Sequence, residues 1–327
     1  MLMMSDATGW ASEHPILGIL AGLAILVVGA EVLVRGAVWI ALTLGMSRMA
    51  VGLTLVAIGT SLPELLVSFT AANSGHEAIA MANVIGSNAA NILLIVGVAA
   101  TIRAIKLHTR WLELGYLLVM TGLASVPFAL EGRFDRWLAG VMVGVLALFL
   151  WQLLARERAA RRLGDAEPKQ QGSFVGWLVH VALLAAGFVM LAYGADWLVG
   201  GSVAIATSLG MSEAVVGMTI VAVGTSLPEL ATSAVAALRG QPEICIGNVV
   251  GSNIFNVGAV LGVTGLLQPF PVDVPALLPL LACTVVATIA LIAVLRLGAG
   301  VARAVGVLFV LVYGGFMAWQ VLSGAPQ

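Results

Sequence analysis

The chain has 327 residues, 61% of them hydrophobic and 9% charged, with a formal net charge of −1 at pH 7 and a mean hydropathy of +1.08. A water-soluble fold cannot use that much apolar surface, because most of it would stay exposed. With no basic cluster interleaved with aromatics, a nucleic-acid partner is excluded as well.

Crossing a bilayer takes about 20 largely apolar residues. In chain order, such runs lie at 16–43, 49–72, 78–100, 111–130, 136–156, 174–206, 214–238, 244–266, 275–295 and 303–323, bounded by charges, Gly or Pro. They predict an all-α membrane protein of ten transmembrane helices; a membrane barrel would instead show alternating segments of about ten residues. The first run is longer than a signal-peptide core and is preceded by Asp6 and Glu13 rather than a basic region, so it is expected to be retained. The charged, Pro- and Gly-containing stretch 157–173 predicts a flexible join. Cys245 and Cys283 sit in apolar runs without ligand-like spacing and read as small hydrophobes.

Lys and Arg crowd alternate loops. One side collects Arg48, Arg103, Lys106, Arg110, Arg156, Arg158, Arg161, Arg162, Lys169, Arg239, Arg296 and Arg303, and the other only Arg133 and Arg136. Basic loops are held in the cytoplasm, so 157–173 is expected to be a cytoplasmic linker and both termini are expected on the non-cytoplasmic side of a cell (inner or plasma) membrane.

A phrase repeats across the chain with an offset of 165 residues: VAIGTSLPELLVS at 56–68 and VAVGTSLPELATS at 221–233. The same offset relates GAEVLVRGA at 29–37 to GADWLVGGS at 194–202, LGMS at 44–47 to LGMS at 209–212, and ANVIGSNAANILLIVG at 82–97 to GNVVGSNIFNVGAVLG at 247–262. The expected halves are residues 1–156 and 174–327, each with five helices. An odd number turns the second half upside down relative to the first, and such inverted-topology repeats are an architecture of secondary transporters, which bind near the midplane.

Each repeat carries an acid in an apolar run, Glu64 and Glu229, with no Lys or Arg in either run. A carboxylate at membrane depth is costly and reads as functional. Pro63 and Pro228 lack an N–H and leave the carbonyls of Gly59 and Gly224 without helical partners, loosening those of Thr60 and Thr225. Thr60, Glu64 and Ser68 recur every four residues, as do Thr225, Glu229 and Ser233, with Ser61 and Ser226 on the flank. The next helix adds Asn83, Ser87 and Asn91, and its copy Asn248, Ser252 and Asn256. Gly86 and Gly251 allow close approach. The set is all oxygen, without His or Cys, which favours hard cations such as Ca2+; two carboxylates balance one Ca2+ or two Na+. Any single hydroxyl can equally bond its own helix or a neighbour, and Asn83 and Asn248, nearer helix ends, read as caps or interhelical bonds. Glu31 has Arg35 one turn on, an ion pair, while Asp196 has Gly200; that acidic pair reads as structural. Gly29, Gly36, Gly194 and Gly201 are expected to let the long first and sixth helices slide against the core. His14, His76, His108 and His180 combine with no acid, so zinc and nucleophilic chemistry, and with them an enzyme, are not supported.

GTSLPE at 59–64 with GSNAAN at 86–91, and GTSLPE at 224–229 with GSNIFN at 251–256, resemble the paired alpha-repeats of the cation/calcium exchanger superfamily, of the prokaryotic sodium/calcium exchanger type. The resemblance covers nearly the whole chain. It implies a secondary active antiporter that exchanges Ca2+ for Na+ across a lipid bilayer, with no prosthetic group. It also implies a metal site in which Glu64 and Glu229 bind Ca2+ and serve Na+, the backbone oxygens of Thr60 and Thr225 complete the Ca2+ shell, Ser61, Ser87, Ser226 and Ser252 flank it as Na+ ligands, and Asn91 and Asn256 take the central polar positions. Many sodium-coupled members carry Asp in one copy of the last motif position, where this chain has Asn at both. A Ca2+/H+ antiporter is the alternative within the class, and a Ca2+-permeable channel outside it.

Overall fold

A computed structural model describes residues 10–73, 77–106, 111–130, 132–163, 172–209, 222–298 and 300–323. Residues 164–171 of the expected linker, 214–221 of the seventh expected run and the end of the second LGMS copy lie outside the described residues. The chain is almost entirely helical: α1 Pro15–Leu44, α2 Arg48–Thr60, α3 Leu62–Asn73, α4 Ile79–Ile102, α5 Trp111–Ala129, α6 Arg136–Leu163, α7 Phe174–Ser208, α8 Ala222–Gly224, α9 Leu227–Leu238, α10 Pro242–Leu267, α11 Val274–Leu297 and α12 Arg303–Leu322. Among the described residues, 8 helices are long and apolar enough to cross a membrane, or 9 if α2 and α3, bent by 43° at their junction, count as one span. This is a multi-pass membrane protein.

α4 and α10 form the interior, with α10 almost wholly buried, while α1, α7 and α12 turn apolar side chains such as Leu20, Val27, Leu178, Val189 and Leu311 outward. An apolar outer belt of this kind is what lipid requires. α1 and α7, of 30 and 35 residues, rise about 45 Å or more at 1.5 Å per residue, well past the roughly 30 Å of a hydrocarbon core. They lie against each other along their length. Side chains added at Gly22, Gly29 and Gly36 would meet Leu198, Met190 with Leu191, and Leu184, and those at Gly187, Gly194 and Gly201 would meet Leu33, Leu26 and Pro15. One number falls as the other rises, so the pair is antiparallel. The glycines recur every seven residues on both helices, the seam of a helix pair whose backbones touch. Gly29, Gly36, Gly194 and Gly201, expected to face the core, face the opposite long helix instead: a glycine groove closes best on another glycine groove. Trp39 and His180 stack near one end of this pair, with ring centroids 4.1 Å apart.

Among the described residues, two antiparallel strand pairs staple the helix ends, β1 (Ile105–Lys106) to β4 (Gly300–Val301) and β2 (Arg133–Phe134) to β3 (Phe270–Pro271). The first residues of the expected join at 157–173 are helical. α6 runs on to Leu163 because RERAARRL is built of strong helix formers and its polar groups find partners: Ser47 donates to Glu157 through its backbone N–H at 2.7 Å and its Oγ at 2.9 Å, and Arg161 donates to the Gly45 carbonyl at 2.9 Å. Glu31 pairs with Arg35 as expected and also with Arg239 at the end of α9, which ties α1 to the helix carrying Glu229.

A Cβ at position 194 would sit 2.8 Å from the Leu26 nitrogen and 2.9 Å from the Gly22 oxygen, both backbone atoms, whereas one at 144 meets nothing within 4 Å. Gly194→Leu should therefore cost about 1–3 kcal/mol through overpacking, read as a lower melting temperature in detergent, and Gly144→Leu should leave that temperature unchanged.

Candidate functional site

The GTSLPE segments do not bend a continuous helix; they end one helix and start another. α2 stops at Thr60, Ser61 turns the chain, and α3 begins at Leu62. In the second copy α8 stops at Gly224 and α9 begins at Leu227. Pro63 and Pro228 are thus the second residues of new helices, where a missing N–H costs nothing. Glu64 and Glu229 fall in the first turn of α3 and α9, a position whose dipole favours an anion. The preceding turn ends in carbonyls, the negative end of its own helix. Room for α7 over these breaks comes from glycine: a Cβ on Gly59 would lie 2.0 Å from the Phe188 ring, and one on Gly224 2.5 Å from Val199 Cγ2.

Glu64 and Glu229 are fully buried, and each is held by the other repeat. Ser226 Oγ donates to Glu64 Oε1 at 3.3 Å, and Ser61 Oγ donates to Glu229 Oε1 at 3.4 Å. Ser87 lies beside Glu64 and Thr60 beside Glu229. Thr60 Oγ1 donates to Asn248 Oδ1 at 3.1 Å and Thr225 Oγ1 to Asn83 Oδ1 at 3.5 Å. The same two asparagines reach back to the expected stripe on the acid-bearing helices: Asn83 Nδ2 donates to Ser68 Oγ at 2.9 Å and Asn248 Nδ2 to Ser233 Oγ at 3.1 Å. Asn83 and Asn248 are interhelical bonds, as their positions suggested. Ser252 approaches Thr60 at 3.5 Å.

Asn91 and Asn256 begin π-helical turns, Asn91–Ile95 and Asn256–Leu261, a distortion that concentrates at functional sites. Their amides are oriented by two residues the periodic reading passed over. Asn91 Nδ2 donates to Asn253 Oδ1 at 2.9 Å, and Asn256 Nδ2 donates to Asn88 Oδ1 at 3.1 Å. Asn88 and Asn253 in turn exchange side-chain to backbone bonds, each Nδ2 donating to the other's carbonyl at 3.3 Å. Asn88 and Asn253 lie one position past the stripe at 83, 87 and 91 and its copy, so a search for four-residue spacing missed them. Their duplication inside GSN was the signal that could have found them.

Among the described residues, the buried side-chain oxygens without a hydrogen-bond partner include two repeat-related pairs, Glu64 Oε2 with Glu229 Oε2 and Asn91 Oδ1 with Asn256 Oδ1. Leaving a buried acceptor unsatisfied costs about 1–3 kcal/mol, and more for a charged one. Two repeat-related pairs of such oxygens in one interior suit a cation, which accepts several oxygens at once. Among the described residues no group of three or more His, Cys, Asp or Glu side chains could hold a metal ion, so a cation here would rest on two carboxylates supplemented by amide, hydroxyl and backbone oxygens.

Both halves match the family model described as sodium/calcium exchanger protein, at residues 14–155 and 179–322. The chain is 32% identical over 339 residues to the sodium/calcium exchanger MaX1 of Methanosarcina acetivorans, covering 91% of this chain and 96% of that protein. It is 32% identical over 263 residues to the inner membrane protein YrbG of Escherichia coli, covering 78% and 80%. Solved structures of the sodium-calcium exchanger NCX_Mj superpose with a TM-score of 0.78 at 29% identity, covering 93% of this chain and 97% of that one.

The buried Asn248 is an acceptor for Thr60 and a donor to Ser233. Asn248→Ala removes both of these interhelical bonds, although Thr60 Oγ1 keeps the Val56 carbonyl at 3.1 Å, and should lower stability by about 1–3 kcal/mol, measured as an earlier unfolding transition of the detergent-solubilised protein.

Proposed function

The chain belongs to the sodium/calcium exchanger protein family, a transporter rather than an enzyme, and on that premise we propose that this cation/calcium antiporter exchanges Ca2+ for Na+ by alternating access. The observation that carries the reading is the pair of buried carboxylates, Glu64 and Glu229, each with one oxygen free of hydrogen bonds and each bonded to the opposite repeat. They are the proposed Ca2+ ligands and also serve Na+. The backbone oxygens of Thr60 and Thr225 complete the Ca2+ shell, Ser61, Ser87, Ser226 and Ser252 flank it for Na+, and Asn91 and Asn256 contribute amide oxygens. Hard oxygen donors without thiolate or imidazole favour these ions over softer transition metals.

The proposed frame is two five-helix repeats of opposite orientation, residues 1–156 and 174–327, joined by a cytoplasmic linker at 157–173, with ten crossings and both termini outside the cytoplasm. Repeat-related α1 and α7 run antiparallel, as inversion requires. The strand pairs join loops separated by an even number of proposed crossings, six between β1 and β4 and four between β2 and β3, so each pair stays on one face. The basic loops also converge: Arg48 donates to Gln241 at 2.8 Å, and Arg303 donates to the Ile102 carbonyl at 3.1 Å.

Charge supplies the coupling. Unneutralised, two carboxylates are too costly to seal away from water. One Ca2+ or two Na+ balance them, and the loaded site can then close and reopen to the other side. An empty return is suppressed, which makes the cycle an exchange rather than a leak. The α1–α7 pair, backbone against backbone, is the proposed moving element.

In reconstituted vesicles an imposed Na+ gradient at fixed pH should drive 45Ca uptake. Absence of Na+ stimulation overturns the Na+ assignment, uptake driven by a pH gradient instead assigns the proton, and Ca2+ flux without any counter-ion assigns a channel. Glu64→Gln and Glu229→Gln should each abolish Ca2+ transport. The native protein should gain about 2.7 kcal/mol of stability at Ca2+ one hundred times its dissociation constant, seen as a raised melting temperature that a chelator reverses. Neither Gln variant should show that rise.

A further inference from the structure

Asn91 and Asn256 differ from a carboxylate in one respect that matters to a cation: their ends are unlike. A carboxylate presents oxygen whichever way it turns, whereas a primary amide presents either an oxygen or an NH2 whose hydrogens repel positive charge. In this interior both amides are anchored by their NH2 ends, to Asn253 Oδ1 at 2.9 Å and Asn88 Oδ1 at 3.1 Å, and both oxygens are left without a hydrogen-bond partner. The anchors cannot turn either, because each has committed its own NH2 to the carbonyl of the other at 3.3 Å. All four side chains are buried, so water offers no substitute partner.

We propose that Asn88 and Asn253 are positioning residues that hold the amide oxygens of Asn256 and Asn91 toward the transported cation. The proposal rests on the reading of Asn91 and Asn256 as cation ligands and adds the reason an asparagine can serve there. The four residues form an open relay across α4 and α10, Asn91 to Asn253, Asn253 to Asn88 and Asn88 to Asn256, in which every orientation is set by a bond from the other repeat, so the relay has one arrangement rather than several. Outer partners of metal ligands are worth about 10–100-fold in affinity when removed. The relay further sets a specificity against aspartate at 256: a carboxylate there would face the oxygen of Asn88, acceptor against acceptor, since Asn88 cannot flip without losing Asn253.

A double-mutant cycle separates positioning from simple packing. Ca2+ affinity is measured by titration calorimetry on the detergent-purified protein, alongside the half-saturating Ca2+ concentration and maximal rate of vesicle flux. Asn88→Leu should weaken Ca2+ binding about tenfold and raise the half-saturating concentration. In an Asn256→Asp background, where no orientation is needed, Asn88→Leu should cost nothing or should improve binding by relieving the opposed oxygens. An equal loss in both backgrounds overturns the proposal while leaving the ligand reading intact. Failure of the unsubstituted protein to bind Ca2+ at all overturns the ligand reading and the proposal with it. If Asn88→Leu does not fold, the repeat-related pair, Asn253→Leu alone and with Asn91→Asp, carries the same test with the same outcomes.

Discussion

The structure is organised around the cost of keeping two carboxylates out of water. Glu64 and Glu229 are fully buried with no Lys or Arg in their helices, and an isolated ion in such surroundings is penalised by many kcal/mol. The chain offsets this only in part, with one serine hydroxyl to each acid and a place in the first turn of a helix. The remaining deficit is met by a cation in the function proposed for the chain, and the same deficit forbids closure without one. Stability and transport then draw on a single term.

Nearly every contact at this centre occurs twice, with repeat-related residues exchanging places: Ser61 with Glu229 and Ser226 with Glu64, Thr60 with Asn248 and Thr225 with Asn83, Asn88 with Asn253. This is the geometry of a self-complementary interface, where residue i meets j and j meets i, built here within one chain. Each acid takes a serine hydroxyl from the other copy of the motif. The duplicated motif therefore yields one centre made jointly rather than two separate ones. The long helices obey the same rule, since the glycines of α1 lie on α7 and those of α7 lie on α1.

The symmetry is incomplete where the periphery is concerned. Glu31 is tied to Arg35 and Arg239, whereas its counterpart Asp196 has Gly200 at the position of Arg35. An exposed ion pair contributes little to stability, commonly 0–1 kcal/mol, so its consequence is geometric: it attaches α1 to the end of α9. Ser87 and Ser252 also differ, Ser252 approaching Thr60 at 3.5 Å while Ser87 lies beside Glu64.

By itself the sequence determined the membrane class, the helical content, the duplication and the identity of the two buried acids, because these follow from composition, run length and exact spacing, which need no knowledge of neighbours. It also determined that the duplicated motifs carry carboxylate, hydroxyl and amide groups and neither His nor Cys. Only the tertiary structure decided which partner each donor meets. Spacing along one helix says which side chains share a face, but a hydrogen bond across repeats depends on how two helices cross, and that is set by packing. Asn88 and Asn253 escaped a four-residue stripe for that reason, and the glycines of α1 and α7 were assigned to the wrong surface. The break at Ser61 was likewise hidden: proline announces a disturbance, and whether a helix bends through it or stops and restarts depends on what packs over the turn, here Phe188 against Gly59.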